Sequence, residues 1–151
     1  MITAFLLAAS LAQAAPVAPH YVSQRTTQAY LREGPGYAYR VLWVYRHKGT
    51  PFRESANYDI WRRVTAPDGA VGWMSMEMLS DSRTVLVTGK TRAALRKDTE
   101  PGAKMVGLAD PGAVLKLKAC ARDACRVTNG DANGWIPKSR VWGVDAGEVF
   151  K

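Results

Sequence analysis

The chain has 151 residues, with 21 Lys and Arg against 13 Asp and Glu, for a formal net charge of +8. That length holds one domain or two unusually small ones, and the basic balance favours anionic partners such as nucleic acid, anionic lipid, or the carboxylates and phosphates of a cell envelope. The basic residues are scattered from Arg25 to Lys151 with no run of five or more, which excludes a concentrated charge block, so charge alone selects no partner.

The chain opens on an apolar run, AFLLAASLA over residues 4–12, followed by Ala12-Gln13-Ala14 as a small-x-small cleavage pattern. The run is too short to span a bilayer as a helix. Residues 1–14 are therefore predicted to be a signal peptide, although MIT supplies no Lys or Arg and leaves the amino terminus as the only positive charge ahead of the run. Export to the periplasm or beyond the cell follows, with a mature chain beginning near Ala15.

The next stretch, residues 30–79, reads YLREGPGYAYRVLWVYRHKGTPFRESANYDIWRRVTAPDGAVGWMSMEML. GPG punctuation leads into a dense strand, a KGTP turn, a second strand, a WRRV strand, a PDG turn and a closing GWM strand. Short elements spaced at roughly 8 to 12 residues are the signature of a small all-β barrel or sandwich. Gly34-Pro35-Gly36 predicts a tight turn in which positive φ costs little. From Tyr37 on, Tyr37, Tyr39, Val41, Trp43 and Tyr45 share one parity, so an extended chain would line four aromatics along one strand face.

The second half repeats the first in order. Ala29, Leu31 and Arg32 match Ala93, Leu95 and Arg96; Val41 matches Val106; Gly49 matches Gly112. Arg63, Val64 and Thr65 match Arg126, Val127 and Thr128; Asp68 matches Asp131; Gly72-Trp73 matches Gly134-Trp135. The expected division is residues 21–82 and 83–147, two units joined almost without a linker and therefore packed together. Units of this size bury only about 60% of their unfolded surface, so each core is thin. In the second unit Cys120 and Cys125 flank the tip of a hairpin between LKLKA and CRVT, and in an oxidising compartment they should form a disulfide. Zinc would lack its third and fourth ligands there.

These residues carry a resemblance. The LRxGPG opening, WVYR, KGTP, WRRV, the DG turn and GWM, followed by a degenerate copy with a Cys pair and GWI, resemble the bacterial SH3-like domains, above all exported tandem proteins of the alphaproteobacterial type. The resemblance spans about residues 21 to 147. It implies two tandem small SH3-like β-barrels after the signal peptide, an all-β fold, a periplasmic or envelope location, and binding rather than catalysis, often alongside cell-wall enzymes. Relatives are expected to carry a Trp just before the second Cys, where this chain has Ala124.

Trp73 and Trp135 recur in both copies and are expected to serve the fold. Tyr37, Tyr39, Tyr58 and Trp61 do not recur, Trp61 facing Ala124, and are the ligand candidates, because broad rigid rings suit sugars or extended peptides. Arg40 and Arg62, with Lys48 nearby, could pair with ligand carboxylates. Catalysis has little to draw on: His20 falls in a terminus expected to be flexible, His47 beside a turn, both thiols are committed to each other, and no hydrolase, zincin or P-loop pattern is present. No cofactor is expected. Export argues against nucleic acid despite the favourable charge, and the neutral-to-basic GPGYAYR segment argues against proline-rich peptides. The expected function is non-enzymatic binding in the bacterial envelope, to peptidoglycan or its stem peptides, with an envelope protein or cell-wall enzyme as the alternative partner.

Overall fold

The protein is described by a computed structural model over residues 13–151. The expected signal peptide therefore lies outside the described residues except for Gln13 and Ala14. Among the described residues, fourteen strands form two antiparallel sheets of identical connectivity. The first contains β1 (Ala15–Gln24), β2 (Ala29–Arg32), β3 (Val41–Tyr45), β4 (Pro51–Tyr58), β5 (Trp61–Thr65), β6 (Val71–Ser75) and β7 (Leu79–Ser80). Their spatial order is β3-β2-β6-β5-β4-β1-β7. The second contains β8 (Thr84–Val87), β9 (Ala93–Arg96), β10 (Met105–Ala109), β11 (Val114–Cys120), β12 (Ala124–Thr128), β13 (Asn133–Pro137) and β14 (Val141–Trp142), in the order β10-β9-β13-β12-β11-β8-β14. A 3-10 turn, Met76–Met78 or Lys138–Arg140, precedes the last strand of each. The fold is all-β, two sheets each wrapped around its own core as in an SH3-like barrel.

Alternation of the side chains builds each core. Val22, Ala29, Leu31, Phe52, Val64 and Met74 fill the first, and at the same places in the pairing scheme Val85, Ala93, Leu95, Leu115, Val127 and Ile136 fill the second. The correspondence reaches the irregularities. A register shift falls between Glu54 and Ala56 in the first barrel and between Leu117 and Ala119 in the second. One alignment of the two copies needs correcting: Arg32 pairs Val41 and Arg96 pairs Met105, so Val41 corresponds to Met105 and not to Val106, which lies in the adjoining bulge.

The recurrent glycine of the Gly-Trp pair has a steric cause. β2 crosses β6 so closely that a Cβ on Gly72 would lie 2.6 Å from the Arg32 carbonyl oxygen and 2.8 Å from Leu31 Cγ. At Gly134 it would lie 2.8 Å from Leu95 Cβ and 3.1 Å from the Arg96 oxygen. The following Trp73 and Trp135 pair with Arg32 and Arg96 across the same crossing.

Cys120 and Cys125 form the expected disulfide, directly opposite each other in the β11–β12 ladder. They occupy the positions that Asn57 and Arg62 hold in the first barrel, where the hairpin is instead closed by Tyr58 facing Trp61 around Asp59, whose φ is 52°.

The N-terminal segment departs from expectation. His20 is not in a flexible terminus: β1 begins at Ala15, pairs with β4 as far as Asn57, and sets His20 opposite Glu54.

The barrels touch through a small mixed interface. The Thr84 hydroxyl donates to the Gly49 carbonyl at 2.6 Å, and Tyr21 of β1 meets Trp142 of β14 edge-on at 5.4 Å. Tyr21 also donates to Asp145 at 3.4 Å. Arg83, at the junction, makes a two-pronged contact with Glu148 at 2.6 and 3.1 Å, donates to the Gly143 carbonyl at 3.1 Å, and lies over the Tyr21 ring.

Candidate binding site

The distinctive surface of the first barrel is the loop between β2 and β3 and the strand that follows it. Four aromatics do not line one strand face, because the chain is not extended over Tyr37 and Tyr39; the strand begins only at Val41. The loop is held from inside by Arg32, whose guanidinium donates to the Tyr37 carbonyl at 3.2 Å and the Tyr39 carbonyl at 3.0 Å. Neither Gly34 nor Gly36 has a positive φ. Their role is contact: the Tyr39 ring lies on Gly34 so closely that a Cβ there would meet it at 2.5 Å.

Tyr37 stacks edge-on against Trp61 with ring centroids 4.9 Å apart and also lies under the Arg32 guanidinium at 5.4 Å. Trp61 is only 5% exposed and packs with Trp73, Ala56, Tyr58 and Ile60 as a small separate cluster. The rings presented to solvent are Tyr37 at 63%, Tyr39 at 49% and, on β3, Trp43 at 59%. Tyr45, although of the same parity, turns inward: it meets Phe52 edge-on at 5.1 Å and donates to both Asp68 carboxylate oxygens at 3.2 Å. Burial, reinforced by that carboxylate, raises its phenol pKa far above the ordinary value.

Beneath this surface is a small charged group. Glu54 is buried, with Arg62 Nε 3.4 Å from one carboxylate oxygen and His20 Nε2 3.5 Å from the other. Burial raises the Glu54 pKa, and the two basic neighbours only partly offset it. The second barrel has Leu117 at this position.

A family model described as a bacterial SH3 domain matches the chain twice, over residues 25–81 and 89–143. The chain belongs to the bacterial SH3 domain family. No curated protein matches it. Similar solved structures include NlpC2 from Trichomonas vaginalis, at 10% identity and a TM-score of 0.36, covering 88% of this chain and 49% of that one. NlpC1 from the same organism is similar at 12% identity and a TM-score of 0.37, covering 93% and 50%. The chain spans about half the length of each of these structures.

Within the first SH3 domain the structure brings Tyr37, Tyr58 and Trp61 together and sets Tyr39 on the glycines of the neighbouring loop. It separates the two arginines. Arg40 stands in solvent, 3.8 Å from Glu33, whereas Arg62 turns inward to Glu54 and donates to the Asp59 and Trp61 carbonyls at 2.8 and 3.1 Å. Arg62 thus anchors the hairpin beneath the aromatic surface. Two residues outside the expected set bear on this candidate surface: Trp43, the most exposed ring of β3, and Arg32, whose guanidinium holds the loop. The signal for Arg32 is its place in the LRxGPG opening; the signal for Trp43 is the lone Gly107 at the same place in the second barrel. The second domain has no aromatic between Lys97 and Ala109, so the surface is confined to the first.

Proposed function

We propose that this protein is an exported, non-enzymatic binding module of the bacterial envelope that takes peptidoglycan or its stem peptides on the aromatic surface of its first SH3 domain. The observation that supports the reading is an asymmetry between two barrels of identical strand order. Tyr37, Tyr39 and Trp43 are exposed in the first, and the corresponding loop and strand of the second carry no ring. Three large exposed rings are not required to complete this fold, since the second barrel completes it without them. Broad rings beside the exposed Arg40 suit a sugar face next to a carboxylate. The disulfide fits an oxidising compartment, and with both thiols in that bond neither is available as a nucleophile. Among the described residues no helix is long and apolar enough to cross a membrane.

A second reading, an accessory role toward a cell-wall enzyme or envelope complex, is supported by β3. It is the edge of its sheet, with Val41, Trp43 and Val44 exposed, and an edge strand can accept a partner strand through its free backbone groups.

Co-sedimentation with purified sacculi across a salt series tests the first reading. Binding by charge alone fades as salt rises. Recognition through the rings persists at high salt and falls about tenfold or more in Tyr37→Ala or Trp43→Ala. Binding that fades equally in every variant would exclude wall recognition by this surface and turn the search to a protein partner. Trp61→Ala is the wrong probe, because it empties a buried site.

A further inference from the structure

Scattered along the chain, the basic residues converge in space. Between the two SH3 domains lies an open cleft of about 820 Å³, whose basic lining is Arg25, His47 and Lys48 from the first, Arg83 from the junction, and Lys116 and Lys118 from β11 of the second. No carboxylate is among its lining residues. Arg83 is taken by Glu148, but among the described residues Arg25, Lys48, Lys116 and Lys118 form no ion pair. Lys116 and Lys118 are both exposed on β11 on either side of buried Leu117, Lys118 at the bulge where the register shifts.

We infer that this interdomain cleft is a binding site for a multiply charged phosphate-bearing anion, distinct from the aromatic surface of the first domain. A concave site lined by one sign of charge focuses its field and raises the local concentration of the opposite ion. Four unpaired cations exceed what one carboxylate needs, and lysine ammonium groups serve phosphate as mobile point charges. Ser80 and Ser82 on the wall add neutral donors; the Ser80 oxygen already accepts from the Ser82 N–H at 3.2 Å, leaving its O–H to donate outward. The volume lies within the range of small-molecule sites. Because the cations come from both barrels and the junction, the site exists only while the two domains are docked.

The test titrates inorganic tripolyphosphate into the whole chain, disulfide intact, at physiological salt, and compares two charge-matched double variants. Lys116→Glu/Lys118→Glu reverses the cleft, and Lys90→Glu/Lys97→Glu reverses two exposed lysines outside it. The cleft variant should bind about tenfold more weakly or worse, and the control within about twofold. Sedimentation with phosphatidylcholine vesicles containing cardiolipin, whose headgroup carries two phosphodiester charges, then separates the sources. Vesicle binding lost only in the cleft variant assigns the site to a lipid headgroup; tripolyphosphate binding without vesicle binding assigns it to a free phosphate ligand. Equal loss in both variants, or no binding of either probe by the unaltered chain, overturns the inference.

Discussion

At the scale of single residues, two carboxylates respond to their surroundings in opposite directions, Glu54 buried and Glu148 half-buried. Glu148 accepts the two-pronged contact of Arg83, and this hydrogen bonding holds its carboxyl below the usual value of 4.5. Its contribution to stability is complete above that value and is lost as pH falls through the folded-state value. Glu54 is shifted upward by burial, so the folded state holds its proton at a pH where the unfolded chain has released it. Stability therefore declines as pH rises from 4.5 through the folded-state value, and Arg62 and His20 limit that decline. Two variants separate the effects. Glu148→Gln should cost about 1 kcal/mol near neutral pH, and that cost should disappear as pH falls through the folded-state value of Glu148. Glu54→Gln, which cannot ionise, should flatten the decline just above pH 4.5. Melting temperatures taken across the acid range read both, and a constant penalty for Glu148→Gln at every pH would refute the ion-pair account.

At the scale of elements, the steric crossing of β2 over β6 explains why the same glycine recurs in both barrels. Gly72→Ala should cost about 1–3 kcal/mol, because the added methyl meets the Arg32 carbonyl, a backbone atom unable to swing aside. Gly134→Ala should cost a comparable amount, because the added methyl meets Leu95 Cβ, which is fixed to its own backbone, at 2.8 Å and the Arg96 carbonyl at 3.1 Å. Denaturant midpoints at unchanged m-values measure both, and negligible costs would show that the crossing can open. The same elements explain how much was legible in advance. Short strands on regular spacing, turn residues and an ordered repeat lead directly to two like barrels, because each is a local pattern. The GPG segment departs from its expected turn for a non-local reason: its glycines admit the Tyr39 ring rather than a positive φ. Trp61 reads as a ligand residue because it faces Ala124 in the second copy, and Arg62 because a nearby guanidinium could pair with a ligand carboxylate. In the fold they line and brace that surface from below, a role set by Tyr37 and Glu54 from distant parts of the chain. His20 reads as part of a free terminus because its partner, Glu54, lies 34 residues on and no adjacent residue announces the pairing.

At the scale of the whole molecule, each SH3 domain has a core too thin to be strongly stable alone, so the interface decides whether the chain unfolds in one step or two. The contacts across it converge on few residues. Tyr21 meets Trp142 edge-on, reaches Asp145, and lies beneath Arg83, and burial with the nearby Asp145 charge raises its phenol pKa. Tyr21→Ala removes all of these and should cost the interface about 1–2 kcal/mol. The unaltered chain is expected to melt as one transition with matching calorimetric and van't Hoff enthalpies, and the variant as two. Reduction of the disulfide identifies the domains. Loss of so short a closed loop is worth about 2 kcal/mol and acts on the second barrel alone. In the coupled chain it should lower the single transition as a whole; in Tyr21→Ala it should move one transition and leave the other in place. Two transitions in the unaltered chain would mean that the barrels fold independently, and the interdomain cleft would then open and close with each domain separately.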